Sequence, residues 1–406
     1  MQQIENKNKE KVILVAVQKQ ELDEAFQYSI EEMKRLVETA QGEVVAVITQ
    51  KRESYSGRTM VGKGKVEEIA MMVDELEADI VVFYQSLTGS MAKNLQEQIN
   101  ARVIDRTQLI LDIFAMRAQS KEGKLQVQLA QMNYLLPRLS GQGSSLSRLG
   151  GGIGTRGPGE TQLEVDRRVI RKKIRDIELQ LEETKKHRER SRMKRKNSRS
   201  FQMGLIGYTN AGKSTILNAL TDAGTYEENQ LFATLDPLTR KIDYPGQYEI
   251  TLTETVGFIQ DLPTTLIHAF ESTLEESKNV DLLVHVVDAS AENFLTHEKT
   301  VLALLDELDM KEIPIVTIYN KMDQALPRFQ ASEYPNLQIS AKNPADIERL
   351  KEFLLTEMKQ CMTPYHYALE PYEQAEIIRL QQQTIVESLD YDEETNKYLI
   401  KGFEKN

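Results

Sequence analysis

Gly207-Tyr208-Thr209-Asn210-Ala211-Gly212-Lys213-Ser214 follows the apolar run Met203 to Ile206 and precedes the helix-forming stretch Thr215 to Leu220. The octapeptide has the form G-x-x-x-x-G-K-S, in the strand, loop and helix setting where that pattern cradles phosphate. Its glycines let backbone N–H groups converge on phosphate oxygens, and the N-terminus of the following helix adds its dipole. Lys213 is then placed to reach the β and γ phosphates, and Ser214 to ligate Mg²⁺. Gly207 through Thr215 are therefore candidate nucleotide-binding residues, Ser214 is a candidate metal ligand, and the surrounding domain is expected to be an α/β P-loop fold with a mixed sheet flanked by helices. A plain glycine-rich turn is the competing explanation, and the complete pattern in this setting argues against it.

A phosphate loop does not choose the base. Asn320-Lys321-Met322-Asp323, directly after the apolar run Ile315 to Tyr319, does. A carboxylate placed like Asp323 accepts from guanine N1–H and the exocyclic amine, whereas adenine offers an acceptor at N1 and no such amine. Leaving a polar group unpaired in a buried site is costly, so one residue can set base choice. Ser340-Ala341-Lys342, after another short apolar run, is expected to close over the base. Between these motifs, Phe232-Ala233-Thr234-Leu235-Asp236 supplies Thr234 as a candidate second Mg²⁺ ligand, with an ordinary loop threonine as a real competitor. Glu254-Thr255-Val256-Gly257 ends the strand run Ile250 to Thr253 and brings an acidic residue near the metal and a glycine N–H to the γ-phosphate. These two loops are expected to order with GTP and relax after hydrolysis. Lys213, Thr234 and Gly257 are the catalytic candidates.

The rest of the chain is divided by pattern. Val12 to Val17, Glu43 to Ile48, Asp79 to Tyr84 and Arg102 to Ile104 read as strands, with helical stretches Leu22 to Ala40 and Lys65 to Glu77 between them, which implies a parallel sheet. From Gln108 to Leu139 the apolar spacing is helical, with Leu109, Ile113, Val127, Ala130 and Tyr134 among the buried candidates. The segment from Ser140 to Gly159 is too glycine-rich for regular structure. Helical spacing resumes to about Lys196, with Leu163, Val169, Ile174, Ile177 and Leu181 on one stripe, so two long helices form a hairpin around a glycine-rich tip. His366 to Asn406 reads as a strand, a helix and a β-hairpin. The expected layout is an N-terminal parallel α/β domain over 1–107, the helical hairpin over 108–200, the P-loop domain over 201–362 and a small α+β domain over 363–406.

Composition narrows the setting. Hydrophobic residues at 40% and charged ones at 28% fit a globular chain rather than a collagen-like or largely disordered one. The lone Cys361 excludes an intramolecular disulfide and suggests a reducing cytoplasmic setting. Met1 to Lys7 lacks the basic start and apolar core of a secretory signal, and no apolar run reaches membrane-spanning length, so no stable membrane association is expected. The formal net charge of −11 hides a local opposite: from Arg167 to Ser200 there are 15 Lys or Arg against 5 Asp or Glu. A charge run is usually a solvated face. Here its one-signed surplus adjoins a glycine-rich loop carrying Arg148 and Arg156 and contrasts with an acidic remainder, which favours RNA phosphate as the partner. Arg148, Arg156, Arg167, Arg168, Arg171, Lys172 and Lys173 are the RNA-contact candidates. No aromatic platform accompanies them, so backbone and shape are what such a segment reads.

The P-loop, Phe232 to Arg240, Glu254 to Phe258 and the Asn-Lys-x-Asp together resemble the TRAFAC class of P-loop GTPases, and specifically the HflX family of the Obg–HflX group. Gly62-Lys63-Gly64-Lys65, Asp105-Arg106-Thr107 with Leu111-Asp112-Ile113-Phe114, and Gly157-Pro158-Gly159-Glu160 resemble signatures of that family outside the nucleotide domain, although Gly62 to Lys65 by itself reads more simply as a turn before a helix. The resemblance runs from about residue 10 to at least 365. It implies a GTPase, acting as a monomer, that binds the large ribosomal subunit and its rRNA with the hairpin tip toward the peptidyl transferase centre and splits or rescues stalled ribosomes, under stress or antibiotic challenge. A ribosome-assembly GTPase and a GTP-gated binding factor with negligible hydrolysis are the alternatives. It also implies Mg²⁺ as cofactor. Asn210 resembles the loop asparagine that helps bind K⁺ in some relatives, with loop bracing an equal alternative. The chain departs from the family at Glu254, where Asp is usual, and at Leu238, where threonine is common. Phe258 stands, as in the family, where many GTPases carry the glutamine that orients the attacking water, so turnover without a partner is expected to be slow.

Overall fold

A computed structural model describes residues 9–139, 162–196, 200–221, 231–232, 235–242, 246–259 and 277–405. Its described residues fall into two compact α/β units, one up to residue 182 and one from 183 onward.

In the first unit, β1 (Lys11–Gln18), β2 (Glu43–Lys51), β3 (Ile80–Phe83) and β4 (Arg102–Asp105) form a parallel sheet in the order β2-β1-β3-β4. β1 and β3 are buried almost end to end, which is why they read as unbroken apolar runs: a parallel sheet is covered on both faces by its crossover helices. Those helices are α1 (Asp23–Thr39), α2 (Lys63–Leu76) and α3 (Gly89–Gln96). Two turns are too short for periodicity to mark α3; it is capped by Thr88, whose hydroxyl accepts from Met91 N at 3.2 Å.

The single long helix expected from Gln108 onward is two helices, α4 (Arg106–Arg117) and α5 (Lys121–Arg138). Ser120 causes the break. Its hydroxyl accepts from Gly123 N at 2.8 Å, an N-cap bond that competes with helix continuation. The expected core residues Leu109, Ile113, Val127, Ala130 and Tyr134 are all buried. Asp105 fastens these helices to the sheet. Its fully buried carboxylate caps α4 through Gln108 N at 3.0 Å, accepts from Leu87 N at 2.9 Å and Tyr134 Oη at 2.8 Å, and pairs with Arg138 at 3.0 Å. The helix α6 (Gln162–Lys196) runs 35 residues. Ile177 on the expected apolar stripe is buried, but Val169 is 59% exposed, because spacing identifies a stripe without supplying a partner for all of it. Arg168, Arg171, Lys172 and Lys173 are exposed and Arg167 is half-buried, while Arg148 and Arg156 lie outside the described residues.

In the second unit, β5 (Phe201–Gly207), β6 (Leu238–Ile242), β7 (Ile250–Glu254), β8 (Leu282–Asp288), β9 (Ile315–Asn320) and β10 (Asn336–Gln338) are ordered β10-β9-β8-β5-β7-β6. All neighbours are parallel except β6 against β7. The chain places strands first on one side of β5 and then on the other, and ligands bind outside the carboxyl ends of strands at such a switch point. The helices α7 (Lys213–Leu220), α8 (Phe294–Glu307) and α9 (Pro344–Gln360) surround this sheet, and Ile216, Leu217, Leu350 and Leu354 pack with Leu205, Leu252, Val284 and Ile318 in the core. The terminal sheet, β11 (Thr363–Leu369), β12 (Ile385–Asp392) and β13 (Lys397–Glu404), is antiparallel in the order β11-β13-β12 and carries α10 (Gln374–Gln383) on a small core of Tyr365, Ile377, Leu380 and Ile400. Ile385 and Phe403 also pack against the larger core, and Lys405 pairs with Asp281 at 2.7 Å. No described helix is long and apolar enough to cross a membrane.

Removing one partner of a buried, hydrogen-bonded charge pair costs about 3 to 5 kcal/mol. Asp105→Ala should therefore lower the urea midpoint seen by circular dichroism and speed hydrogen exchange in α4 and α5; unchanged exchange there would show that the carboxylate does not hold them.

Candidate nucleotide-binding site

The loop between β5 and α7 is shaped by two left-handed residues. Asn210 has φ 62°, a conformation asparagine tolerates. Gly212 has φ 97°, and any Cβ there would collide with the side-chain amide of Asn320, so glycine is required twice over. Lys213 opens α7 and turns back under the loop, where its Nζ donates to the carbonyls of Gly207 at 3.1 Å and Tyr208 at 2.9 Å. Burial lowers its pKa to about 8, against the opposing pull of the Glu254 carboxylate. Tyr208 stacks on His297 of α8, ring centroids 3.8 Å apart, which pins the loop from the side.

The base-reading motif divides its labour. Asn320 ends β9 and is 2% exposed; its amide N–H donates to Ala211 O at 2.9 Å while its Oδ1 accepts from Ala341 N at 2.9 Å. It therefore clamps the phosphate loop to the Ser340–Lys342 segment. Lys321, left-handed at φ 62°, donates to Asn210 O at 2.8 Å and pairs with Asp288 at 2.6 Å. Asp323 alone is exposed, on the 3-10 turn Met322–Gln324. Its Oδ1 accepts from Ser340 Oγ at 2.7 Å, and that bond, aided by Gln324 and Lys342, holds the carboxyl below the usual carboxylate range. It is thus presented as an ionised acceptor. Asp288, which braces Lys321, and Asp346, which accepts from Ser340 N at 2.9 Å, were not among the sequence candidates. Asp288 had a signal, since it ends an apolar strand beside the motif's own strand; Asp346 had none.

On the other side of the loop, Glu254 ends β7, is 2% exposed, and accepts from Ser214 Oγ at 2.6 Å. A hydroxyl and a carboxylate brought together at the head of α7 are hard oxygen donors suited to Mg²⁺, which keeps its remaining positions for phosphate and water. Among the described residues there is no group of three or more His, Cys, Asp or Glu that would hold a metal unaided. Thr255 is fully buried and donates to Leu205 O at 3.1 Å. Val256 and Phe258 are buried, and Phe258 continues the β7 direction onto the loop: its N–H donates to Gly207 O at 3.1 Å and its carbonyl accepts from Thr209 N at 2.7 Å. Phe232, with φ 54°, and Leu235 are buried and Asp236 is half-buried, whereas Ala233 and Thr234 lie outside the described residues.

Because the free-state Lys213 titrates near 8 and a bound phosphate raises that value, binding takes up a proton once the pH exceeds about 8. Affinity for fluorescent GDP should be level near pH 7 and fall toward tenfold per pH unit between about pH 8 and 9; a flat profile would mean that the ammonium stays charged without nucleotide.

Three family models match the chain in tandem: "GTP-binding GTPase N-terminal" over residues 27–115, "GTP-binding GTPase Middle Region" over 117–195, and "50S ribosome-binding GTPase" over 202–321. The GTPase HflX of Alkalihalophilus pseudofirmus is 51% identical over 403 residues, 99% of this chain and 95% of that one. GTPase HflX of Escherichia coli is 42% identical over 350 residues, 85% and 82% of the two chains. Among solved structures, a complex of SsGBP with GDP shares the fold, with a TM-score of 0.51 at 23% identity over 86% of this chain and 99% of that one. Likeness on this scale covers the N-terminal sheet, the long basic helix and the nucleotide domain alike, and the chain belongs to the HflX family of GTPases.

Proposed function

We propose that the protein hydrolyses GTP, binds the large ribosomal subunit in its GTP state, and splits or rescues stalled ribosomes, with hydrolysis driving release. The observation that carries this reading is the clamp through Asn320, which holds the buried Lys213 and the exposed acceptor Asp323 in one site, together with a family model described as a 50S ribosome-binding GTPase that matches residues 202–321, from the phosphate loop to Asn320 and Lys321. Gly207 to Thr215 would wrap the phosphates, with Ser214 as Mg²⁺ ligand and Glu254 close behind it. The metal would neutralise charge on the β and γ phosphates. Thr234 remains the proposed second ligand and Asn210 the proposed K⁺ contact. The exposed Arg168, Arg171, Lys172 and Lys173 of α6, with Arg167, would meet rRNA phosphates.

The domain layout of 1–107, 108–200, 201–362 and 363–406 is proposed to assign these tasks. The hairpin's first helices are rooted in the N-terminal core through Asp105 and the buried face of α4, so a pull on the hairpin is resisted by that core.

Phe258 is apolar and buried, so no described side chain at that position orients the attacking water. That favours slow intrinsic hydrolysis with a partner setting the timing. Ribosomes should raise phosphate release by at least about tenfold, and sedimentation with GTP should show intact ribosomes separating into subunits. Glu254→Asp identifies whether the longer acid limits the rate. Release no faster than the protein-free rate, for natural protein and variant alike, would leave a GTP-gated binding factor; stimulated release with ribosomes still joined would leave an assembly GTPase.

Base choice tests the acceptor directly. Asp323→Asn replaces an acceptor pair by an amide that can donate to a 2-oxo group. GTP affinity should fall by about 10²-fold or more, and xanthosine triphosphate should bind better than GTP; equal loss of both nucleotides would remove Asp323 from base recognition.

A further inference from the structure

Thr209 carries a hydroxyl with no evident structural use. The residue is 7% exposed, and its Oγ1 has no hydrogen-bond partner among the described residues. A buried hydroxyl left unpaired is costly, and valine would fill the same volume without that cost. An orphan donor inside a binding loop therefore points to a ligand.

Its surroundings indicate which part of the ligand. A Cβ built on Gly257 would lie 2.9 Å from both the Cα and the Cγ2 of Thr209, and 3.0 Å from Lys213 Nζ. Thr209, Gly257 and the Lys213 ammonium thus converge on one spot. The methyl is the Thr209 side-chain atom nearest this spot, and a turn of about 120° about χ1 would bring the hydroxyl, carried on the same Cβ, into its place. Lysine and glycine at these two positions address the terminal phosphate of a bound triphosphate. In this structure the spot is closed by Gly257 and Phe258, whose backbone is bonded to Gly207 O and Thr209 N. Phe258 has no polar side-chain group to offer there, and among the described residues Thr209 is a neighbouring side chain whose donor is unused.

Resting on the GTP reading above, we infer that the Thr209 hydroxyl donates a hydrogen bond to the γ-phosphate of bound GTP and is a determinant of the preference for triphosphate over diphosphate. Hydrogen bonds to charged phosphate oxygens are stronger than neutral ones, so one such bond is enough to bias the two states.

The test compares Thr209→Val, isosteric and without a donor, with Thr209→Ser, which keeps the donor and loses the methyl. Affinities for fluorescent GDP and for a non-hydrolysable GTP analogue are measured on each full-length protein, together with kcat and KM for ribosome-stimulated hydrolysis. The expected result is that the ratio of GTP-analogue to GDP affinity falls about tenfold in Thr209→Val and returns to near the natural value in Thr209→Ser. A ratio unchanged in Thr209→Val, or both affinities falling by the same factor, would overturn the inference and leave Thr209 as a packing residue. Thr209→Ala extends the comparison: loss of the ratio there but not in Thr209→Val would assign the effect to volume and likewise overturn it. Failure of the natural protein to bind either guanine nucleotide is a separate outcome, which overturns the GTP reading and this inference with it.

Discussion

The amide of Asn320 joins three pieces of chain that sequence keeps far apart. One end holds Ala211 in the phosphate loop, the other holds Ala341 beside the base-reading segment, and the residue itself ends the strand from which Asp323 projects. A side-chain amide suits this task because it has both a donor and an acceptor on one rigid plane. Buried at 2% exposure, those bonds are shielded from competing water. With the Lys321 bond to Asn210 O, they tie the phosphate end and the base end of the site together.

Lys213 shows how the same domain stores binding capacity. Its ammonium is buried on two carbonyls, and burial holds its pKa near 8, so the charge is retained at a cost that a phosphate would relieve. His285, on the central strand β8, lies on the other side of this balance. Burial, with Lys213 adding to it, lowers its pKa to about 3, which keeps the imidazole neutral and avoids a second cation beneath the loop. Glu254, bonded by Ser214 Oγ, contributes the opposite sign and raises the Lys213 pKa against the effect of burial.

The acidic chain and its basic helix are also understandable together. The chain carries a formal net charge of −11, and against it the exposed Arg168, Arg171, Lys172 and Lys173 of α6 form a local basic stretch. Electrostatic steering toward a polyanion requires such asymmetry, while a net negative body opposes indiscriminate attachment to RNA.

Sequence alone determined the elements whose signals are local. Buried parallel strands appear as apolar runs because both faces are covered, and the phosphate loop appears as a motif because its glycines answer to backbone geometry at consecutive positions. It also placed Asp323, Glu254 and Ser214 at strand and helix ends. What it did not contain is partnership at long range. The break at Ser120 arises from a cap that competes with a continuing apolar pattern, Val169 is exposed because a stripe does not guarantee a cover, and Asp346 entered the site through the backbone of Ser340. Most of all, Asn320 was legible as part of a base-binding tetrapeptide, yet its clamp reaches a carbonyl 109 residues away. Residue type dictates which bonds a side chain is able to make, and only the tertiary structure decides which groups are brought within about 3 Å to make them.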